Sequence, residues 1–80
     1  MKTISLTYYA YLKDRSGIDQ ETFSTCANSL QELYEEIQEK YDIGLSIDSL
    51  KVAVNDQFAA FDTPLQNNDH VVFIPPLAGG

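Results

Sequence analysis

This sequence predicts an α+β domain in which a mixed sheet of about five strands packs on one main helix, and three observations carry that reading. Lys2 to Tyr9 alternates polar and apolar residues with period two. Ser29-Leu30-Gln31-Glu32 is a capping box at the head of an apolar stripe with helical spacing. Lys51-Val52-Ala53-Val54 and His70 to Ile74 are short apolar runs, rich in valine and bounded by turn residues. A period of two marks a half-buried strand and a period near 3.6 an amphipathic helix, so the chain carries both signals in separate stretches.

In the first stretch Ile4, Leu6 and Tyr8 fall on one face of a strand, and Tyr9 points to the other. Ala10 to Lys13 continue it less regularly. Asp14-Arg15-Ser16-Gly17 then carries the residues of a hairpin connection, with Gly17 free to take a positive φ. A second strand, Gln20 to Thr25, pairs back with Phe23 inward. At the capping box the Ser29 hydroxyl accepts from the Glu32 amide, and the Glu32 carboxylate reaches back to the Ser29 amide. Leu30, Leu33, Tyr34, Ile37 and Tyr41 form the buried stripe of the helix that follows. Gln31, Glu32, Glu35, Glu36 and Glu39 form its solvated face, and Gly44 provides the stop.

Ile43, Leu45, Ile47 and Leu50 lie in a connection that covers the end of the core. Lys51–Val54 reads as a strand with Val52 and Val54 inward, followed by an Asn55-Asp56 turn and a short segment from Gln57 to Phe61 with Phe58 exposed. Residues 62–69 are rich in turn formers. The last strand, His70 to Ile74, puts Val71 and Phe73 on one face and Val72 and Ile74 on the other. One amphipathic helix must cover one face of this sheet, since neither element can bury its apolar surface alone. A parallel pairing of the first and last strands lets the helix serve as a right-handed crossover. That arrangement is the β-grasp, or ubiquitin-like, architecture, with residues 1–74 as the domain and residues 75–80 as a protruding tail.

Eighty residues make a single small domain, which buries only about 60% of the surface its unfolded chain exposes. Cys26 is the lone cysteine and forms no internal disulfide, and the N-terminal residues lack the apolar core of a secretory signal. A reducing cytoplasm is therefore expected. The apolar runs are too short to span a bilayer. A net charge of −7 argues against nucleic acid as a partner and favours a protein with a basic face.

The side chains offer little chemistry of their own. Cys26 and His70 are each the only residue of their kind; Cys26 reads as a small, partly buried apolar residue and His70 as an ordinary edge residue. Gly17 and Gly44 are isolated, so no phosphate-binding loop exists. By elimination the group of interest is the α-carboxylate of Gly80. Pro75 and Pro76 favour an extended segment of ~3.1 Å per residue, and Gly79 and Gly80 make its end slender enough to enter a narrow channel. A carboxylate is a poor electrophile until joined to AMP, after which a thiol, an amine or a sulfur donor can attack its carbonyl.

Ala53-Val54-Asn55, Phe61-Asp62, Pro64-Leu65, Asp69, Val71, Phe73 and the ending Pro75-Pro76-Leu77-Ala78-Gly79-Gly80 resemble the small, sulfur-carrier subunit of molybdopterin synthase. Tyr8-Tyr9-Ala10 and the Ser29 capping box fit as well, so the resemblance spans essentially the whole chain. It implies that an E1-like enzyme adenylates Gly80 with ATP and that a sulfurtransferase system converts the adenylate to a thiocarboxylate, a C-terminal thioglycine. It further implies that Pro75, Pro76, Leu77, Ala78 and Gly79 lie in a channel of the large synthase subunit. There sulfur passes to cyclic pyranopterin monophosphate, in a complex of two small and two large subunits. The small subunit binds no cofactor or metal under this resemblance. Tyr9, Phe58 and Ile74 match the apolar patch by which family members dock on both partners. Two other readings stay open: a β-grasp carrier for another acceptor, in thiazole synthesis or protein conjugation, and a non-covalent interaction domain with an inert tail.

Overall fold

The computed structural model describes residues 1–75. Pro76, Leu77, Ala78, Gly79 and Gly80, on which the carrier-tail expectation rests, lie outside the described residues. The chain runs through β1 (Lys2–Tyr8), α1 (Ala10–Ser16), β2 (Gln20–Thr25), α2 (Leu30–Tyr41), a single 3-10 turn (Ile47–Ser49), β3 (Lys51–Val54), β4 (Gln57–Ala59) and β5 (His70–Ile74). The strands form one sheet in the order β2-β1-β5-β3-β4. β1 and β5 pair in parallel, from Ser5 opposite His70 to Tyr8 opposite Phe73, and every other pairing is antiparallel. The first and last strands are thus neighbours at the centre of the sheet, as the crossover argument expects.

Period-two alternation combined with this register places Ile4, Leu6, Tyr8, Val52, Val71 and Phe73 on one side, each at most 1% exposed. Helix α2 supplies Leu30, Leu33, Tyr34 and Ile37 to the same core. Burying each of these large side chains stabilises the fold by roughly 1.5–3 kcal/mol. Phe61, which follows the end of β4, turns inward and stacks on Phe73 at 6.2 Å between ring centroids.

Three local expectations change. The residues read as an irregular strand and hairpin turn form α1 instead. The Tyr9 carbonyl accepts from the Leu12 amide at 3.0 Å, Gly17 closes the helix at φ 80, and Leu12 is fully buried at the end of the core. A seven-residue helix with one buried side chain shows no apolar period, which is why the sequence hides it.

Helix α2 ends at Asp42, with φ 52, rather than at Gly44. Arg15 donates through Nε and Nη2 to the Asp42 carbonyl, Tyr11 donates to the Ile43 carbonyl at 3.0 Å, and Tyr34 donates to the Leu45 carbonyl at 2.6 Å. Side chains of α1, and Tyr34 of α2 itself, therefore hold the carbonyls of the connection just past the helix. At the other end, the Glu32 amide donates to Ser29 Oγ at 3.2 Å as expected. The Glu32 carboxylate, however, accepts from the Asn28 amide at 3.1 Å rather than from Ser29.

Candidate functional site

The side of the sheet turned away from α2 is covered by no other element among the described residues. Its composition follows from the same alternation that builds the core. In the central row Gln20, Thr7, Val72, Ala53 and Phe58 lie side by side across all five strands. One step along, Ile74 stands opposite Lys51. Phe58 is 74% exposed, and Ile74, Val72 and Ala53 are half-buried. Tyr9, one residue beyond the Tyr8–Phe73 pair, is 54% exposed at the end of β1, alongside the end of β5.

Of the residues singled out from sequence, Phe58 and Ile74 therefore share the uncovered face, and Tyr9 lies at its border next to Ile74. Pro75 follows Ile74 directly and is half-buried. Sequence reasoning placed Val72 on the face of Ile74 but overlooked Ala53 and Lys51 as members of the same surface. The period-two pattern contained the signal, but the register that joins β3 to β5 was needed to use it.

The two singular side chains are not where they were expected. His70 opens β5, a central strand rather than an edge, and shares a 2.8 Å hydrogen bond with Thr7 Oγ1. Its amide donates to Asn55 Oδ1 at 3.0 Å, and its carbonyl accepts from the Asn55 amide at 2.8 Å, which ties the β3–β4 hairpin to β5. Cys26 is an exposed free thiol rather than a partly buried one. Among the described residues, no three His, Cys, Asp or Glu side chains converge as a metal site.

Charge divides the two sides of the sheet. Neither Asp nor Glu occupies any strand position on the uncovered face. The one strand carboxylate, Glu21, lies on the helix side, where it accepts from Tyr8 Oη and from Tyr41 Oη at 2.8 Å. Burial holds the Tyr8 phenol far above its ordinary pKa, and the bond to Glu21 adds to that. The Tyr41 phenol is raised for the same two reasons in the same order. Lys40 completes the group, 3.7 Å from Glu21 and lying over the rings of Phe23 and Tyr41.

A sheet of this order, with parallel central strands and a helix across one face, defines a β-grasp protein of the ubiquitin-like type. The chain belongs to the ThiS family, whose sequence profile matches residues 6–80. It is 26% identical over 80 residues to the molybdopterin synthase sulfur carrier subunit of Escherichia coli (strain K12), covering 96% of this chain and 99% of that protein. Among solved structures it resembles the putative molybdopterin converting factor subunit 1 of Pyrococcus furiosus, at a TM-score of 0.80 and 23% identity, over 96% of this chain and 100% of that one. It also resembles a chain of the complex between subunits 1 and 2 of the molybdopterin-converting factor of Helicobacter pylori 26695. That match has a TM-score of 0.66 and 25% identity, covering 98% of this chain and 99% of the other.

Proposed function

We propose that this protein is the sulfur-carrier subunit of a molybdopterin synthase, working in the cytoplasm. The observation that carries the reading is the uncovered, carboxylate-free sheet face, bordered by Tyr9, Phe58 and Ile74, from whose edge the chain leaves at Pro75. An exposed apolar patch of this kind is a surface for a protein partner. Its position beside Ile74 means that docking would aim residues 75–80 at that partner.

The chemistry belongs to Gly80. An E1-like partner joins the Gly80 carboxylate to the α-phosphorus of ATP, releasing pyrophosphate. Hydrosulfide, the sulfur donor delivered by a sulfurtransferase, then attacks the carbonyl, forming the carbon–sulfur bond as the bond to AMP breaks and leaving a thiocarboxylate. With Pro75 to Gly79 lying in the channel of the large subunit, the terminal sulfur bonds to cyclic pyranopterin monophosphate, and water cleaves the resulting thioester so that the carrier returns as a carboxylate. Two carriers serve two large subunits. No cofactor resides on the carrier, and ATP is consumed on the activating partner. Gly79 and Gly80 suit the role because a side chain beside the reacting carbonyl would crowd the attacking enzyme.

The test is mass spectrometry of the protein after incubation with its cognate activating enzyme, ATP and a sulfur donor. The expected result is the mass gain of one oxygen-to-sulfur exchange, located at Gly80. An unchanged mass rejects the reading. Removing Gly79 and Gly80 should abolish the gain while leaving the thermal transition in place, because chain ends of this kind contribute little burial.

A further inference from the structure

Four of the five basic side chains are engaged within the protein. Lys13 pairs with Asp19, Arg15 with Asp42 and Lys40 with Glu21, and Lys2 donates to the Ala27 carbonyl at 2.9 Å. Lys51 is exposed and has no ion pair or hydrogen bond among the described residues. It is also the one formally charged side chain at a strand position on the uncovered face, where it stands opposite Ile74; with Phe58 it borders a depression at the β3–β4 edge of the sheet that Val52, Ala59 and Phe61 line from the other side. A lone positive charge inside the apolar patch of a protein with net charge −7 is the reverse of what solubility alone would place there.

We infer that Lys51 fixes the register of the docked partner by opposing a carboxylate on the partner's surface; this rests on the sulfur-carrier reading. Apolar contact is non-directional, so Phe58 and Ile74 supply adhesion without choosing among neighbouring alignments. A single charge at the patch does choose, because misplacing its counter-charge leaves both partly desolvated and unpaired. The sign narrows the partner further. Carboxylates elsewhere on this protein repel an acidic surface and attract a basic one. The complementary surface is therefore apolar at its centre and basic around it, with an isolated Asp or Glu facing Lys51.

The experiment uses the full chain and its cognate large synthase subunit, with affinity measured by calorimetry at ionic strengths of about 0.05 and 0.5 M. Lys51→Glu should weaken binding roughly tenfold or more, and Lys51→Met, which keeps most of the aliphatic stem, by a factor of about three. The gap between wild type and Lys51→Met should close at the higher salt, whereas the loss caused by Phe58→Ala should persist there. Zero-length carbodiimide coupling of the complex should join Lys51 Nζ to a partner Asp or Glu as an amide, found by peptide mass mapping. Equal affinity of Lys51→Glu and wild type overturns the inference and leaves the sulfur-carrier reading standing, and so does a map of cross-links from which Lys51 is missing. Failure of the wild-type chain to bind the large subunit at all removes the reading itself. The exposed position of Lys51 means that both variants should melt with the wild type, so lost affinity is not lost folding.

Discussion

The two faces of the sheet are built from the same strands, residue by residue in alternation, yet they obey opposite rules. On the helix side, Tyr8, Val71 and Phe73 are at most 1% exposed, and the polar atoms that enter are paired, with Glu21 accepting from both Tyr8 and Tyr41. On the other side, Val72, Ile74 and Phe58 remain partly or largely in water with no element over them among the described residues. Polar residues hold the β2–β1 side of that face, Thr3, Ser5, Thr7, Gln20, Thr22 and Ser24, as a solvated sheet surface should, and the apolar ones gather at its β5–β3–β4 side. Stability is therefore the business of one face, and the proposed docking falls to the other. Because side chains alternate, each can be altered without touching its counterpart.

The sharpest way to break this division is a pair of truncations one strand apart in character. Phe73→Ala should cost about 3–5 kcal/mol of stability, read from urea unfolding. Phe58→Ala should change the unfolding free energy by less than about 0.5 kcal/mol yet weaken association with the large subunit by about 2 kcal/mol, as exposed aromatic anchors do. A large stability loss from Phe58→Ala would merge the two faces into one structural unit.

Next in size is Glu21→Ala, which leaves the buried Tyr8 hydroxyl without its acceptor and should cost about 1–3 kcal/mol. Glu21→Gln keeps an acceptor oxygen and should lose less. Binding to the large subunit should be unchanged in both, since Glu21 faces the helix.

Alkaline pH probes the same cluster. The Tyr8 phenol, raised first by burial and then by Glu21, keeps its proton in the folded protein at a pH where the unfolded chain, with an ordinary value of 10.0, has lost it. Its contribution to stability is therefore complete below pH 10 and lost as pH climbs above it, by up to about 1.4 kcal/mol per pH unit. Tyr8→Phe should flatten that decline, and an unaltered slope would move its origin elsewhere.

The smallest effect belongs to the β3–β4 hairpin, where Asn55 and Asp56 both take positive φ, 52 and 73, as a two-residue type I′ turn requires. Asp56→Gly relieves the left-handed strain of an L residue but adds freedom to the unfolded chain, for a net gain of a few tenths of a kcal/mol. Asn55 should not tolerate the same change, because its side chain accepts from the His70 amide and donates to Asp69.

Much of this protein was legible before folding was considered. The alternation of β1, the stripe and cap of α2, and the short valine-rich strands each declare themselves within ten residues or so, because local period and capping chemistry depend only on neighbours in sequence. The bounds of β2, β3 and β5 agree with the expected ones to the residue. Exposure of Tyr9 and Phe58 was legible for the same reason. What failed were features whose partners lie far away along the chain. Helix α1 forms around a single core residue, Leu12, and the turn just past α2 is held by Arg15 and Tyr11, at separations of 27 and 32 residues. His70 looks like an edge residue until β5 is found between β1 and β3.

By itself, then, the sequence determined the fold class and the faces of its strands, because side-chain alternation is a property of the strand alone; the candidate role of Tyr9, Phe58 and Ile74 came from the resemblance. The tertiary structure alone decided which strands are neighbours, and so brought Phe58, Ala53, Val72, Ile74 and Lys51 onto one surface. Register is set by pairing across the sheet, and no stretch of sequence contains both sides of a pair.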